Sequence, residues 1–188
     1  MDAQNKDNGD ISLENRKVFA YLINENMTYK NCPTLLACSE EFRQIKPRSP
    51  EAQKLLQAIK SDDATKELIP VKVSPPLTEL LNFPSLCIIL AYMLRMNELN
   101  EYLQEDLDMI LSKATFLVEM MIQVAFQLKI EFQMGRHKKR ITAKTVLQLI
   151  AFSQNLLQGM WYDDDAYHQL PYVDYDRLKA FKKKNKPI

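Results

Sequence analysis

The stretch LQEDLDMILSKATFLVEMMIQVAFQLKIEF, Leu103 to Phe132, decides the fold class. Its apolar residues Leu103, Leu107, Ile110, Ala114, Leu117, Met121, Val124 and Leu128 recur at alternating steps of four and three, the spacing that lines up side chains on one face of an α-helix. Leu111, Val118, Ala125 and Phe132 widen that seam beyond the narrow stripe of a two-stranded coiled coil, so the pattern predicts a long helix packed inside a bundle. If it breaks, the break is expected near Ser112 to Thr115.

Upstream, Leu86, Cys87, Ile88, Ile89, Leu90, Ala91, Tyr92, Met93 and Leu94 make a helix started by Pro84 that is apolar around most of its circumference, as befits a central core element. Before it, Pro70 to Pro76 cannot be helical, because each proline lacks a donor and biases its predecessor toward extended geometry. Further back, Ser49-Pro50-Glu51 supplies an N-cap, a first-turn proline and an acid for a helix through Leu55, Leu56 and Ile59. Cys32-Pro33 opens a short helix. Another begins with Ser12 as N-cap and Asn15 three places on, and carries Val18, Phe19, Leu22 and Ile23 on one face.

Downstream, Gly135 suits a left-handed helix end, and Arg136, His137, Lys138, Lys139 and Arg140 complement the negative end of the dipole. Thr142 then caps a helix with Val146, Leu149, Ile150, Leu157 and Met160 at helical spacing. Only three glycines occur, and no alternating strand pattern is bounded by turn residues, so the chain reads as all-α, a multi-helix bundle with no substantial sheet. The expected organisation is a flexible tail over 1–11, an N-terminal helical part over 12–69, a proline-rich linker over 70–76, a core helical module over 77–181 and a basic tail over 182–188.

A net charge of +1 gives no global nucleic-acid footprint, so electrostatic function must come from local clusters. Three cysteines, Cys32, Cys38 and Cys87, without C-x-x-C spacing point to reduced thiols and away from a disulfide framework or zinc knuckle. The longest uninterrupted apolar run, Leu86 to Leu94, is far short of the ~20 residues that span a bilayer, so no membrane span is expected in these residues.

The segment GMWYDDDAYHQLPYVDYDRLKAF, Gly159 to Phe181, raises the question of a metal or acid/base site. Three consecutive aspartates, Asp163, Asp164 and Asp165, point in three directions unless a tight loop folds them back, and a calcium loop alternates its ligands around a glycine. His168 and His137 have no partner cysteine or histidine at ligand spacing. No nucleophile motif or phosphate-cradling glycine loop occurs. The reading is therefore no catalytic residues, no cofactor and no metal, with the aspartates in a solvated turn. The basic stretches Arg136 to Arg140 and Lys179 to Lys186 are the only features suited to phosphate, and solubility and helix capping account for them as well.

Three stretches in order, LAYMLRM at Leu90 to Met96, LQEDLDMILSKATFLVEMM at Leu103 to Met121, and LIAFSQNLLQGMW at Leu149 to Trp161 followed by HQLPY at His168 to Tyr172, resemble the helical module of the Sec sixty-three family. That module is found in the J-domain translocation subunit of the endoplasmic reticulum and in Ski-two-like RNA helicases, including a spliceosomal one. The resemblance covers about 80–181 well and the first third weakly. It implies that Trp161, Tyr167, Leu170 and Tyr172 make apolar contacts, Leu170-Pro171 forms a turn and Asp174 caps the next helix.

The acids Glu101, Glu105, Asp106, Asp108, Glu119 and Glu131 against only Lys113 and Lys129 make the long helix a poor partner for a nucleic-acid strand, and the PPL of Pro75 to Leu77, with LIPVKV before it, looks closer to the translocation branch. What the resemblance implies is a non-catalytic scaffold on the cytosolic side of the endoplasmic-reticulum membrane. Its partners would be the Sec channel and neighbouring domains of a longer chain. The J domain with its His-Pro-Asp tripeptide, the fibronectin-like sandwich and the membrane spans of a full translocation subunit do not appear in these residues. The alternative is a nucleic-acid-binding accessory module of a helicase.

Overall fold

The computed structural model describes residues 12–70, 75, 77–96 and 99–165. Among them are eight α-helices and no strand: α1 Glu14–Leu22, α2 Cys32–Ala37, α3 Pro50–Ser61, α4 Asp63–Lys66, α5 Leu77–Leu80, α6 Phe83–Met93, α7 Glu101–Gln133 and α8 Ala143–Gln158. Single 3-10 turns at Tyr29–Asn31 and Glu40–Phe42 flank α2. Much of the proline-rich stretch, residues 71–74 and 76, lies outside the described residues; Pro70 and Pro75 are not helical.

Helix α6 is the axis of the core. Leu86, Cys87, Ile88, Ile89, Leu90, Ala91 and Met93 are all buried, because α2, α3 and α7 pack around it. Full burial of each large aliphatic side chain contributes roughly 1.5–3 kcal/mol, so α6 supplies a large share of the core for its 11 residues. Helices α1 and α2 pack on α7 and α6, and Phe19, Ile23 and Leu36 join the same apolar cluster as Ile88, Leu117 and Phe152.

Helix α7 runs unbroken for 33 residues, about 50 Å at 1.5 Å per residue. The break considered near Ser112 to Thr115 does not occur. Ser112 turns its hydroxyl back onto the Met109 carbonyl at 2.7 Å, and Ala114 keeps the buried stripe in phase while Ser112 and Thr115 face water. Every residue of the four-and-three repeat is buried, joined by Val118 and Ala125; Leu111 is half-buried and Phe132 exposed. By length and mean hydropathy α7 is long and apolar enough to cross a bilayer, a property that uninterrupted apolar runs do not reveal because Lys113 and Glu119 interrupt it. Here α1, α2, α6 and α8 cover its buried stripe, while Phe116 and Phe126 are 43% and 54% exposed.

Two expectations at helix ends and faces are corrected. Ser12 is not the N-cap of α1. That position is Leu13, although the Ser12 hydroxyl still accepts the Glu14 N–H at 3.2 Å. Asn15 is fully buried, with its amide donating to both carboxylate oxygens of Glu41 at 2.9 and 2.8 Å and its carbonyl accepting the Glu40 N–H. On α8 the buried stripe is Thr145, Leu149, Phe152 and Leu156, whereas Ile150 and Leu157, expected on the packed face, are 37% and 64% exposed. Both candidate stripes obey helical spacing, and neighbours on one side only decide between them.

Helices α6, α7 and α8 end in the same reversal. An N–H reaches back five residues, from Met96 to Ala91, Arg136 to Glu131 and Met160 to Asn155, and the preceding N–H bonds a carbonyl three residues back. This is the Schellman arrangement, which needs a left-handed residue. Gly135 at φ +67° and Gly159 at φ +57° supply it for α7 and α8; for α6 the residue is Arg95 at φ +54°.

Candidate functional site

The two regions singled out by sequence lie at opposite ends of α8. At its C-terminal end, Gly159 turns the chain so that Trp161, 7% exposed, drops into the core. The indole meets Tyr29 edge-on, with centroids 5.2 Å apart and planes at 89°. Tyr29 also contacts Phe152 at 5.8 Å and Tyr162 at 5.2 Å. Edge-to-face pairs of this kind add ~0.5–1.5 kcal/mol beyond area burial. Tyr29 was not legible as a member of this cluster, because its position between α1 and α2 carries no periodic signal.

The Tyr29 hydroxyl is buried and has no hydrogen-bond partner among the described residues. Burial raises its pKa well above the usual phenol range; the Asn155 side chain opposes this without reaching hydrogen-bond geometry, while Cys32, Asp164 and Asp163 add to it. The group stays neutral at physiological pH and is no general base.

The aspartates turn outward from this cluster. Asp164 accepts the Trp161 N–H at 2.7 Å and returns its own N–H to the Trp161 carbonyl at 3.1 Å, which closes a tight turn. Asp163 is exposed and Asp165 half-buried. Among the described residues no three metal-ligating side chains gather. His168, Tyr167, Leu170, Pro171, Tyr172 and Asp174 lie outside the described residues.

The three thiols, Cys32, Cys38 and Cys87, are free and buried. Burial pushes each up to about 12, so none forms a thiolate nucleophile at neutral pH. Several open depressions flank the core, two of them with mixed polar and apolar linings. One, of about 490 Å³, lies between α6, α7 and the end of α8, where Tyr92, Arg95, Gln104 and Gln158 form the polar lining. Arg95 is committed there, its Nε donating to the Gly159 carbonyl at 2.9 Å. The other, of about 420 Å³, has Asn24, Asn26, Asn31 and Glu67 around an apolar floor. Neither combines a nucleophile with a base.

At the other end of α8 the basic turn is divided between structure and solvent. Lys139 reaches back to the Ala20 and Tyr21 carbonyls, capping the last turn of α1, and lies over the Tyr21 ring 5.9 Å from its centroid. Partial burial lowers its pKa. Arg136, Lys138, Arg140 and Lys144 are exposed, and none has an ion-pair partner among the described residues. Beside them Phe132, Met134 and Leu147 are exposed apolar side chains.

The charge of α7 is also less one-sided than its sequence suggests. Arg48, from the segment leading into α3, bonds Glu105 and Asp106 at 2.8 Å each and the Tyr102 carbonyl at 3.0 Å, with its guanidinium over the Tyr102 ring. Glu101, Asp108 and Glu119 remain exposed without such a partner.

A family model described as the Sec63 Brl domain matches residues 10–186 of the chain. No curated protein matches it. The match takes in the first third, where the sequence resemblance is weak, and the all-helical architecture agrees with it. The chain belongs to the Sec63 Brl domain family.

Proposed function

We propose that this Sec63-type module is a non-catalytic scaffold from the cytosolic region of an endoplasmic-reticulum preprotein translocation subunit, where it holds neighbouring domains in position for the Sec channel. The observation that carries this reading is the solvent face of α7. Glu101, Asp108 and Glu119 are exposed along it without an arginine partner among the described residues, and Glu105 is exposed but paired with Arg48, whereas its two lysines, Lys113 and Lys129, are half-buried. A helix with that surface repels a phosphate backbone, which the competing helicase role requires it to track.

The exposed cations Arg136, Lys138 and Arg140 favour the second reading, an accessory module of a Ski-two-like RNA helicase, in which they would contact phosphates. Photo-crosslinking from exposed α7 positions in intact endoplasmic-reticulum membranes separates the two. Crosslinks to channel subunits are expected. Salt-dependent binding of single-stranded RNA with a Kd of about 1 μM or tighter near physiological ionic strength would overturn the scaffold reading in favour of the helicase one.

A further inference from the structure

We infer that the turn between α7 and α8 is a contact surface for anionic phospholipid. Between Glu131 and Asp163 the chain contains no acidic residue, yet it carries Arg136, Lys138, Lys139, Arg140 and Lys144. Helix capping accounts for Lys139 alone, through the Ala20 and Tyr21 carbonyls. The other four cations are exposed and without a carboxylate partner among the described residues. Glu131, the nearest acid in sequence, is half-buried and accepts from Gln127 at 2.8 Å.

The same tip exposes apolar side chains that a bare phosphate ligand would not use. Met134 and Leu147 are each 61% exposed, Tyr21 is 63% exposed, and Phe132 emerges on the last turn of α7. Gly135 has open space around its α-carbon, so the backbone itself can approach a flat surface closely. Cations interleaved with a few protruding apolar groups match the two layers of a bilayer interface, anionic headgroups outside and acyl chain beneath. Lys139 and the α1 carbonyls fix the tip to the bundle, so the contact would orient the whole scaffold. The inference deepens the proposed role at a membrane-bound channel, but its test needs no channel, so either reading can fail without the other.

Flotation of the full chain with vesicles provides the test. Binding to phosphatidylcholine vesicles containing phosphatidylserine or phosphatidylinositol is expected, and none to phosphatidylcholine alone. The combined variant Arg136→Gln, Lys138→Gln, Arg140→Gln, Lys144→Gln should lower the partition coefficient by at least about 100-fold, given a few-fold loss for each surface cation. The pair Met134→Ser and Leu147→Ser should weaken it measurably at unchanged charge, and circular dichroism should show both variants folded. Equal binding to neutral vesicles, or indifference to the four cations, would overturn the inference. Binding of single-stranded RNA that exceeds vesicle binding and ignores Met134 and Leu147 would assign the surface to nucleic acid instead.

Discussion

Helix α6 is apolar around most of its circumference and α8 carries apolar residues among polar ones, and the two meet water differently. Around α6 almost every side chain is enclosed, because α2, α3 and α7 cover it from several sides. Around α8 only the stripe from Thr145 to Leu156 is covered, while Leu147, Ile150 and Leu157 remain in solvent. Apolar content proposes burial, and the number of packed neighbours decides it. A side chain at helical spacing on α8 is therefore as available for a partner as for the core.

Alkaline titration tests the interior half of this contrast and carries the largest expected effect. The three buried thiols have folded pKa values raised from 9.0 to about 12. The folded state holds those protons more tightly, so their contribution is fully present below pH 9 and is lost as pH rises toward 12. Each thiol adds up to about 1.4 kcal/mol per pH unit to the slope of unfolding free energy. Denaturant melts at stepped pH should show the fall, and Cys87→Ala should flatten it by one proton's share. An unchanged slope would mean that the α6 interior is wetter than its contacts imply.

Packing comes next. Trp161→Ala is expected to cost ~3–5 kcal/mol and Ile88→Ala ~2–5 kcal/mol, read from urea midpoints. Leu157→Ala should stay within ~0.5 kcal/mol. A loss at Leu157 comparable to that at Ile88 would erase the distinction between the two helices. The two helix-terminating glycines give a smaller and finer test. Gly135→Ala should cost ~1–2 kcal/mol for the left-handed backbone alone, since nothing lies near its added methyl. Gly159→Ala should cost more, because that methyl would stand 3.0 Å from the Tyr92 ring.

The long repeat in α7, the enclosed run in α6 and the caps at Ser49 and Thr142 were legible in sequence because each is a local pattern with a single structural meaning. Asn15, Tyr29 and Arg48 were not. Asn15 stood where a capping residue was expected and is instead spent on Glu40 and Glu41, about 25 residues away. Arg48 joins the approach to α3 to residues 54–58 positions further on. Pairings across such distances leave no periodicity to read. The aspartate run was readable only in the negative, as a sequence too contiguous to converge, and Asp164 then proved to close a turn on Trp161.

Arg95 adds a consequence of its own. A left-handed arginine is costly, and its Nε donating to the Gly159 carbonyl, 64 positions later in the chain, offsets part of that cost. The final turn of α6 is thus completed on credit from a segment synthesised long afterwards. Arg95 and Met96 should therefore exchange their amides faster in a nascent chain stalled before Gly159 than in the complete chain, and pulsed amide exchange would register the difference.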